Sequence, residues 1–126
     1  MSIITPKEVK DLTALNCLDN DLHEIISSAE VKAIIPVITK PVLDDIPVNP
    51  IIYDVLVRVY IKPYLAYYVK LQYYTQNFSE TIVVEMKEVA EIVEAKRKLL
   101  VNHLATGIYP LYVVLKKKQI SGFLIK

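Results

Sequence analysis

The feature that most constrains this chain is a tyrosine-rich segment near its middle, residues 50–76. At a heptad-like spacing, one stripe of this segment carries only apolar or aromatic side chains: Tyr53, Val57, Tyr60, Tyr64, Tyr67, Leu71 and Tyr74. The apolar face is widened by Ile52, Leu56, Ile61, Leu65, Tyr68 and Val69. Only Asp54, Arg58 and Lys62 form a narrow polar strip, at a spacing of four residues. Such a helix must be nearly surrounded by other elements, and Pro63 predicts a kink in it or a junction of two helices.

Two helices are predicted before this segment. Thr5 followed by Pro6 is typical of a helix start, because the hydroxyl caps the first turn and proline is tolerated at the first helical position. This helix should end near residue 15. Asp21 and Glu24 resemble a capping box that opens a second helix, which should end near residue 35. Four prolines then predict a turn-rich connector over residues 36–49, although the first of them is also compatible with a kinked helix.

A further helix is predicted over residues 80–106, with Ser79 as its cap and Gly107 as its stop signal. Its predicted inward face holds Ile82, Met86, Val89, Ala90, Val93, Leu100 and Leu104. On the outward face, Glu94 and Lys98 are spaced for a favourable ion pair. The pattern therefore predicts a mainly α fold, a small bundle of about four helices.

The last residues differ in composition from the rest of the chain. Residues 108–115 are rich in β-branched and aromatic side chains, which favour an extended strand, and Pro110 restricts such a strand to a sheet edge. We therefore predict one domain overall, with a helical part at 1–107 and an extended basic arm at 108–126.

The chain is also more apolar than an ordinary soluble domain. Hydrophobic residues make up 53% of it and the mean hydropathy is +0.33, against an apolar share of roughly 45–50% in typical domains. This excess indicates that part of the apolar surface is buried between subunits. The predicted subunit-interface residues are Tyr53, Val57, Tyr60, Tyr64, Tyr67, Leu71, Tyr74, Tyr109 and Tyr112. An ordinary core is the competing interpretation of the same stripe.

Charge is balanced overall but not along the chain. The net charge is only +1, so the chain as a whole lacks the strong basic field of a free-standing nucleic-acid-binding protein. Residues 96–126, however, hold seven basic residues and no acidic ones. The predicted contacts to a DNA channel or an acidic partner are Lys96, Arg97, Lys98, Lys116, Lys117 and Lys118. A solvated charged surface is the competing interpretation.

The sequence lacks the residue patterns of a catalytic site. The only histidines are His23 and His103; we expect the first to be a surface residue and the second to be a cation favoured by a helix C-terminus. Cys17, the only cysteine, is expected to be a small buried thiol. No spacing of Cys, His or carboxylates suits a metal, and two glycines do not make a phosphate-binding loop. We therefore predict no enzyme activity and no cofactor. The single cysteine and the lack of a secretory signal pattern predict a cytoplasmic place of synthesis. No apolar run approaches the ~18 residues of a membrane span, so none is predicted.

Four segments carry a resemblance to a known family. They are Ile3-Ile4-Thr5-Pro6-Lys7-Glu8-Val9-Lys10, Asp19-Asn20-Asp21-Leu22, Ala33-Ile34-Ile35-Pro36-Val37-Ile38 and Tyr60-Ile61-Lys62-Pro63-Tyr64-Leu65-Ala66-Tyr67-Tyr68. Together they cover roughly the first 75 residues. This part of the chain resembles the head-to-tail connector, or adaptor, proteins of tailed bacteriophages.

The resemblance implies a helical subunit of a ring, typically twelvefold, that docks beneath the portal in the virion. Such a ring extends the DNA channel and offers an attachment surface to tail proteins. Extended arms in such rings commonly add to a neighbouring subunit, so the resemblance implies this role for residues 108–115, by strand addition. The alternative interpretation is a small cytoplasmic helical protein with a regulatory or nucleic-acid-binding role, in which the basic C-terminal segment is the working surface.

Overall fold

The computed structural model describes residues 3–106 and Tyr109. Its α-helices are α1 (Pro6–Thr13), α2 (His23–Ala29), α3 (Ile35–Ile38), α4 (Lys40–Asp45), α5 (Lys62–Gln76) and α6 (Val83–Leu104). Two short 3₁₀ turns lie at Asp19–Asp21 and Glu80–Ile82, and two wider π-helical turns lie at Glu30–Ile34 and Leu56–Ile61. This part of the chain contains no strand, so the predicted mainly α bundle is confirmed. The predicted arm, apart from Tyr109, lies outside the described residues.

The first helix begins as its sequence predicts. The Thr5 hydroxyl accepts a hydrogen bond from the backbone N–H of Glu8 at 3.2 Å, and the Glu8 carboxylate accepts one from the N–H of Thr5 at 3.2 Å. These reciprocal bonds satisfy two of the N–H groups that a helix start leaves without partners. Pro6 occupies the first turn, where its missing N–H costs nothing.

Both π-helical turns lie immediately before a proline. The turn at Glu30–Ile34 precedes Pro36, and the turn at Leu56–Ile61 precedes Pro63. A proline inside a helix has no N–H to donate, and its ring clashes with the carbonyl one turn earlier. A wider turn moves that carbonyl away, so the helix continues through the proline. The junction predicted at Pro63 is therefore a π turn followed directly by α5.

The π turn that precedes Pro36 shows that the predicted connector at residues 36–49 was partly wrong. Helix α2 runs through its π turn into α3, so the helical path continues past Pro36 to Ile38. Thr39, with a φ of 75°, then redirects the chain into α4. The connector is consequently shorter than predicted, and turns begin at Ile46.

Helix α5 is the central element of the bundle, as predicted. It packs against α1, α2 and α6, and four of its residues are buried among them: Tyr64, Leu65, Ala66 and Val69. Two polar side chains of α5 also satisfy the last carbonyls of α1. The Lys70 ammonium donates to the carbonyl of Thr13 at 2.7 Å, and the Tyr67 hydroxyl donates to that of Leu12 at 3.4 Å. The positive charge of Lys70 also interacts favourably with the negative, C-terminal end of the α1 dipole.

The start of α5 is fixed to the start of α1 by an ion pair. The Lys62 ammonium donates to the second carboxylate oxygen of Glu8, between side chains that are both partly shielded from solvent. Burial alone would raise the pKa of Glu8, but the bonds from Lys62 and Thr5 outweigh it and lower the pKa. Lys62 therefore does not belong to a solvent-facing polar strip, contrary to the sequence prediction.

Three local predictions were wrong. Asp21 accepts a bond from the N–H of Leu18 and closes a 3₁₀ turn, so it does not form a capping box with Glu24. Ser79 occupies the cap position before Glu80–Ile82, but its hydroxyl pairs with that of Thr81 and caps no backbone N–H. Ala90, assigned to the inward face of α6, is exposed.

The capping bonds give a direct test of the N-terminal fold. We expect Thr5→Ala to lower the free energy of unfolding by about 1 kcal/mol, because it leaves the N–H of Glu8 without its acceptor. Chemical denaturation followed by circular dichroism measures the change. Ser79→Ala is the matched control and should change stability by less than about 0.5 kcal/mol, since Ser79 makes no capping bond. Equal losses from both variants would contradict the capping role of Thr5.

Candidate interaction surface

The predicted tyrosine stripe lies mostly inside the chain's own bundle. Tyr53 and Tyr64 are buried, and so is Tyr109 beyond the end of α6. The other stripe residues are half-buried: Val57, Tyr60, Tyr67, Leu71 and Tyr74. The three buried tyrosines are therefore core residues of this chain, while the half-buried ones retain some surface for a partner. Tyr112 lies outside the described residues.

The hydroxyls of the buried stripe tyrosines are satisfied within the chain. Tyr53 donates to the carboxylate of Asp45 at 2.6 Å, and Tyr64 donates to the carbonyl of Ala33 at 3.4 Å. Burial, and next the Asp45 carboxylate, raises the pKa of Tyr53 to about 12. These hydroxyls tie α5 and the preceding turns to α4 and to the first π turn, so they are not free to recognise a partner.

An aromatic cluster joins the end of α6 to the segment just before α5. The rings of Tyr60 and His103 stack with their centres 4.0 Å apart, and Nε2 of His103 lies 2.7 Å from the Tyr109 hydroxyl. The ring of Tyr109 in turn stacks on Tyr53 at 5.7 Å. Burial lowers the pKa of His103, which disfavours the cation predicted at the helix end. The core therefore extends past the predicted limit at residue 107 to include Tyr109.

The most exposed apolar surface of the described chain lies next to the stripe, not on it. We use the term ridge for five β-branched residues between α4 and α5. Their exposed fractions are 72% for Val48, 91% for Ile51, 57% for Ile52, 46% for Val55 and 44% for Val59. Ile52 was predicted to widen the buried face, so its exposure is a correction. These residues lie within twelve positions of sequence, and together they are the candidate contact surface.

The sequence also contains a pattern that indicates the ridge, although the tyrosine stripe of the same segment is more conspicuous. Ile51, Val55 and Val59 recur at a spacing of four residues, which is the spacing of one helix face. Asp54 and Arg58 are exposed beside them, as the predicted polar strip requires. The segment is apolar on two faces, and sequence alone does not tell which face the rest of the chain covers.

A groove of about 550 Å³ borders the same segment. Its walls include the apolar side chains of Ile35, Leu43 and Val57 together with Pro47 and Pro50. Both prolines lie in the turns that carry the ridge. Exposed apolar surface and a partly apolar concavity therefore meet at one region of the molecule, residues 46–59.

The predicted basic contact residues are only partly available. Lys98 is exposed and Lys96 is half-buried, but Arg97 donates two hydrogen bonds to Glu94, one of them from Nε at 3.0 Å. This pair replaces the predicted pairing of Glu94 with Lys98. The side chain of Arg97 is thus largely committed within α6. Lys116, Lys117 and Lys118 lie outside the described residues.

Within residues 3–106, no group of three or more His, Cys, Asp or Glu side chains is arranged to hold a metal ion. Over the same range, none of the helices is both long and apolar enough to span a bilayer. Cys17 is half-buried near Lys10, and burial raises the pKa of its thiol. The candidate site is accordingly a contact surface built from apolar side chains.

The half-buried histidine predicts a pH dependence of stability. Since burial lowers the pKa of His103 in the folded chain, the unfolded chain binds this proton more readily. The free energy of unfolding should therefore be unaffected by this group well above the ordinary histidine pKa of 6.5 and should fall as pH decreases below it, towards the lower pKa of the folded chain. Urea unfolding at about pH 8 and about pH 5.5 measures the effect. His103→Gln should abolish the decrease, whereas the control His23→Gln, at an exposed position, should retain it. A decrease that persists in His103→Gln would contradict this assignment.

Comparison with protein-family models, with curated protein sequences and with solved structures finds no match to this chain.

Proposed function

We propose that this chain is a structural assembly subunit, and specifically a subunit of a head-to-tail connector ring of a tailed bacteriophage. The observation that carries the proposal is the ridge, a set of five exposed β-branched side chains within twelve positions of sequence on a packed helical bundle. When a partner covers apolar surface of this kind, its removal from water contributes roughly 25 cal/mol of favourable free energy for each Å² buried.

The ridge differs from the other exposed apolar residues of the chain. The other exposed large apolar residues are scattered along the chain: Leu12, Leu18, Val31, Phe78, Val84 and Leu99. Single apolar side chains at the surface are normal in soluble proteins, whereas a contiguous set marks a contact site. The apolar excess of the composition, 53% of all residues, agrees with a surface that is covered in an assembly.

The rest of the molecule suits a structural role. Two polar ties between helices are formed by Lys62 with Glu8 and by Lys70 with the carbonyl of Thr13. Each tie holds α1 against α5, and a rigid bundle of this kind can present a contact surface without rearranging. A scaffold that positions neighbouring subunits requires this rigidity.

In the proposed connector the ring docks on the portal, extends the DNA channel and offers a surface to tail proteins. This specific form is supported by the resemblance of residues 3–10, 19–22, 33–38 and 60–68 to connector proteins. In it the exposed Lys98, together with Lys116, Lys117 and Lys118, faces DNA or an acidic partner. Contacts of this kind are independent of DNA sequence and weaken as salt concentration rises.

The ridge gives the test of assembly. We expect the purified chain, alone or mixed with a portal protein, to form particles of several subunits, measured by light scattering and seen as rings by electron microscopy. The double variant Ile51→Ser, Val55→Ser should lose this assembly while retaining its helical circular dichroism, because both side chains are exposed in the single subunit. The matched control Leu18→Ser, Phe78→Ser removes two exposed apolar side chains elsewhere and should still assemble.

Assembly that survives the ridge variant would show that other surfaces hold the subunits together. A chain that remains a monomer at high concentration and does not bind a portal protein would overturn the proposed function.

A second test concerns the predicted arm. Truncation after Tyr109 keeps the side chain that packs on Tyr53, so the bundle should fold with its helical circular dichroism unchanged. If the arm adds to a neighbouring subunit, this truncated chain should lose the ring. Rings that form without residues 110–126 would contradict the arm hypothesis. The ridge would then remain as the candidate subunit contact.

A further inference from the structure

The described part of the chain ends beside the ridge. Tyr109, the last described residue, is 2% exposed, and its ring stacks on that of Tyr53 with the centres 5.7 Å apart. Its hydroxyl lies 2.7 Å from Nε2 of His103, whose ring stacks on Tyr60. Tyr53 and Tyr60 are each directly preceded in the sequence by a residue of the ridge. The rest of the chain therefore starts next to the ridge.

The sequence beyond Tyr109 begins with an apolar run. We use this term for the five apolar or aromatic residues that lie between Pro110 and three lysines: Leu111, Tyr112, Val113, Val114 and Leu115. A run of this composition and the ridge have the same need, because each exposes apolar surface to water unless something covers it. The lysines that follow favour water, so they limit an apolar contact to the run itself.

The apolar run is long enough to follow the ridge. An extended chain reaches about 3.3 Å for each residue, so residues 110–115 span up to about 20 Å. The helical part of the ridge segment, residues 54–59, rises by about 1.5 Å for each residue and is about 9 Å long. Starting from Tyr109, the run can therefore lie along this part of the ridge without any change in the bundle.

The covalent connection to Tyr109 favours the apolar run of the same chain over an unattached partner. A segment that is joined to its binding surface by a short length of chain has an effective concentration there on the order of mM. An unattached molecule has to reach that concentration in solution, and it loses its own freedom of motion on binding. In the free subunit, the chain's own run is consequently the favoured occupant of the ridge.

We propose that the apolar run, residues 111–115, covers the ridge of its own chain before assembly. The inference rests on the proposed function in one respect, because a partner that binds the ridge first has to displace the run. The covered ridge restrains assembly until a portal protein or a neighbouring subunit competes for it. The displaced run is then free to add to a neighbouring subunit, as expected of the predicted arm.

Alkylation of a thiol on the ridge measures whether the run covers it. In a full-length Cys17→Ser background, Val55→Cys places one thiol on the ridge, and mass spectrometry after iodoacetamide treatment gives its labelling rate. Adding Leu111→Ser, Val113→Ser and Leu115→Ser should raise this rate at least tenfold, because the run then lacks the apolar side chains that hold it on the ridge. Circular dichroism of each variant establishes that the bundle is folded.

Two matched controls make the comparison specific. Ile120→Ser, Phe123→Ser and Leu124→Ser remove three apolar side chains beyond the lysines and should leave the labelling rate of the Val55→Cys thiol unchanged. Leu18→Cys places an exposed thiol outside the ridge. Its labelling rate should be the same with and without the three changes in the run.

Labelling over a hundredfold range of protein concentration identifies which molecule supplies the covering run. Protection by the same chain is independent of protein concentration, whereas protection by a second copy increases with it. Protection of the Val55→Cys thiol that is constant over this range supports the inference. Equal rates with and without the changes in the run, or protection that arises only at high concentration, overturn it.

These outcomes differ from those that would overturn the proposed function. If the Ile51→Ser, Val55→Ser variant loses assembly while the Val55→Cys thiol is unprotected, the proposed function stands and the covering of the ridge does not. If the thiol is protected in a chain that neither self-associates nor binds a portal protein, the proposed function is overturned. The covered ridge is then part of the fold of a single chain.

Discussion

The position of α5 at the centre of the bundle is the constraint on which the rest of the structure depends. Helices α1, α2 and α6 all pack against it, and its buried side chains form the middle of the core. A helix so apolar is stable only when others surround it, since its exposed surface would otherwise remain in contact with water. The short helices of this chain therefore owe their stability mainly to this packing and not to their own lengths.

Polar ties then fix how the surrounding helices meet α5. Lys62 and Lys70 reach from α5 to the two ends of α1, while Tyr64 reaches the π turn after α2. A buried carbonyl without a donor is costly, so each tie favours one arrangement of the helices over others. At the far end, His103 and Tyr109 extend this network beyond α6. The result is a bundle whose surface features hold fixed positions.

The two apolar faces of residues 50–61 divide between folding and assembly. One face, with Tyr53 and Leu56, is buried in the single chain, and the other, with Ile51 and Val55, is exposed. A single small bundle has too few helices to cover both. This division gives the proposed assembly its physical basis, because the fold itself leaves the ridge in contact with water.

The sequence by itself determined the helical class, the cap at Thr5 and the central place of the tyrosine-rich segment, because these follow from local spacing and hydrogen-bonding capacity. Only the tertiary structure decided that the helix continues past Pro36, that His103 is enclosed by Tyr60 and Tyr109, and that the ridge is the uncovered face. Each of these depends on which elements meet in space. Local sequence specifies that a face is apolar, but the neighbour that covers it is set by the packing of distant segments.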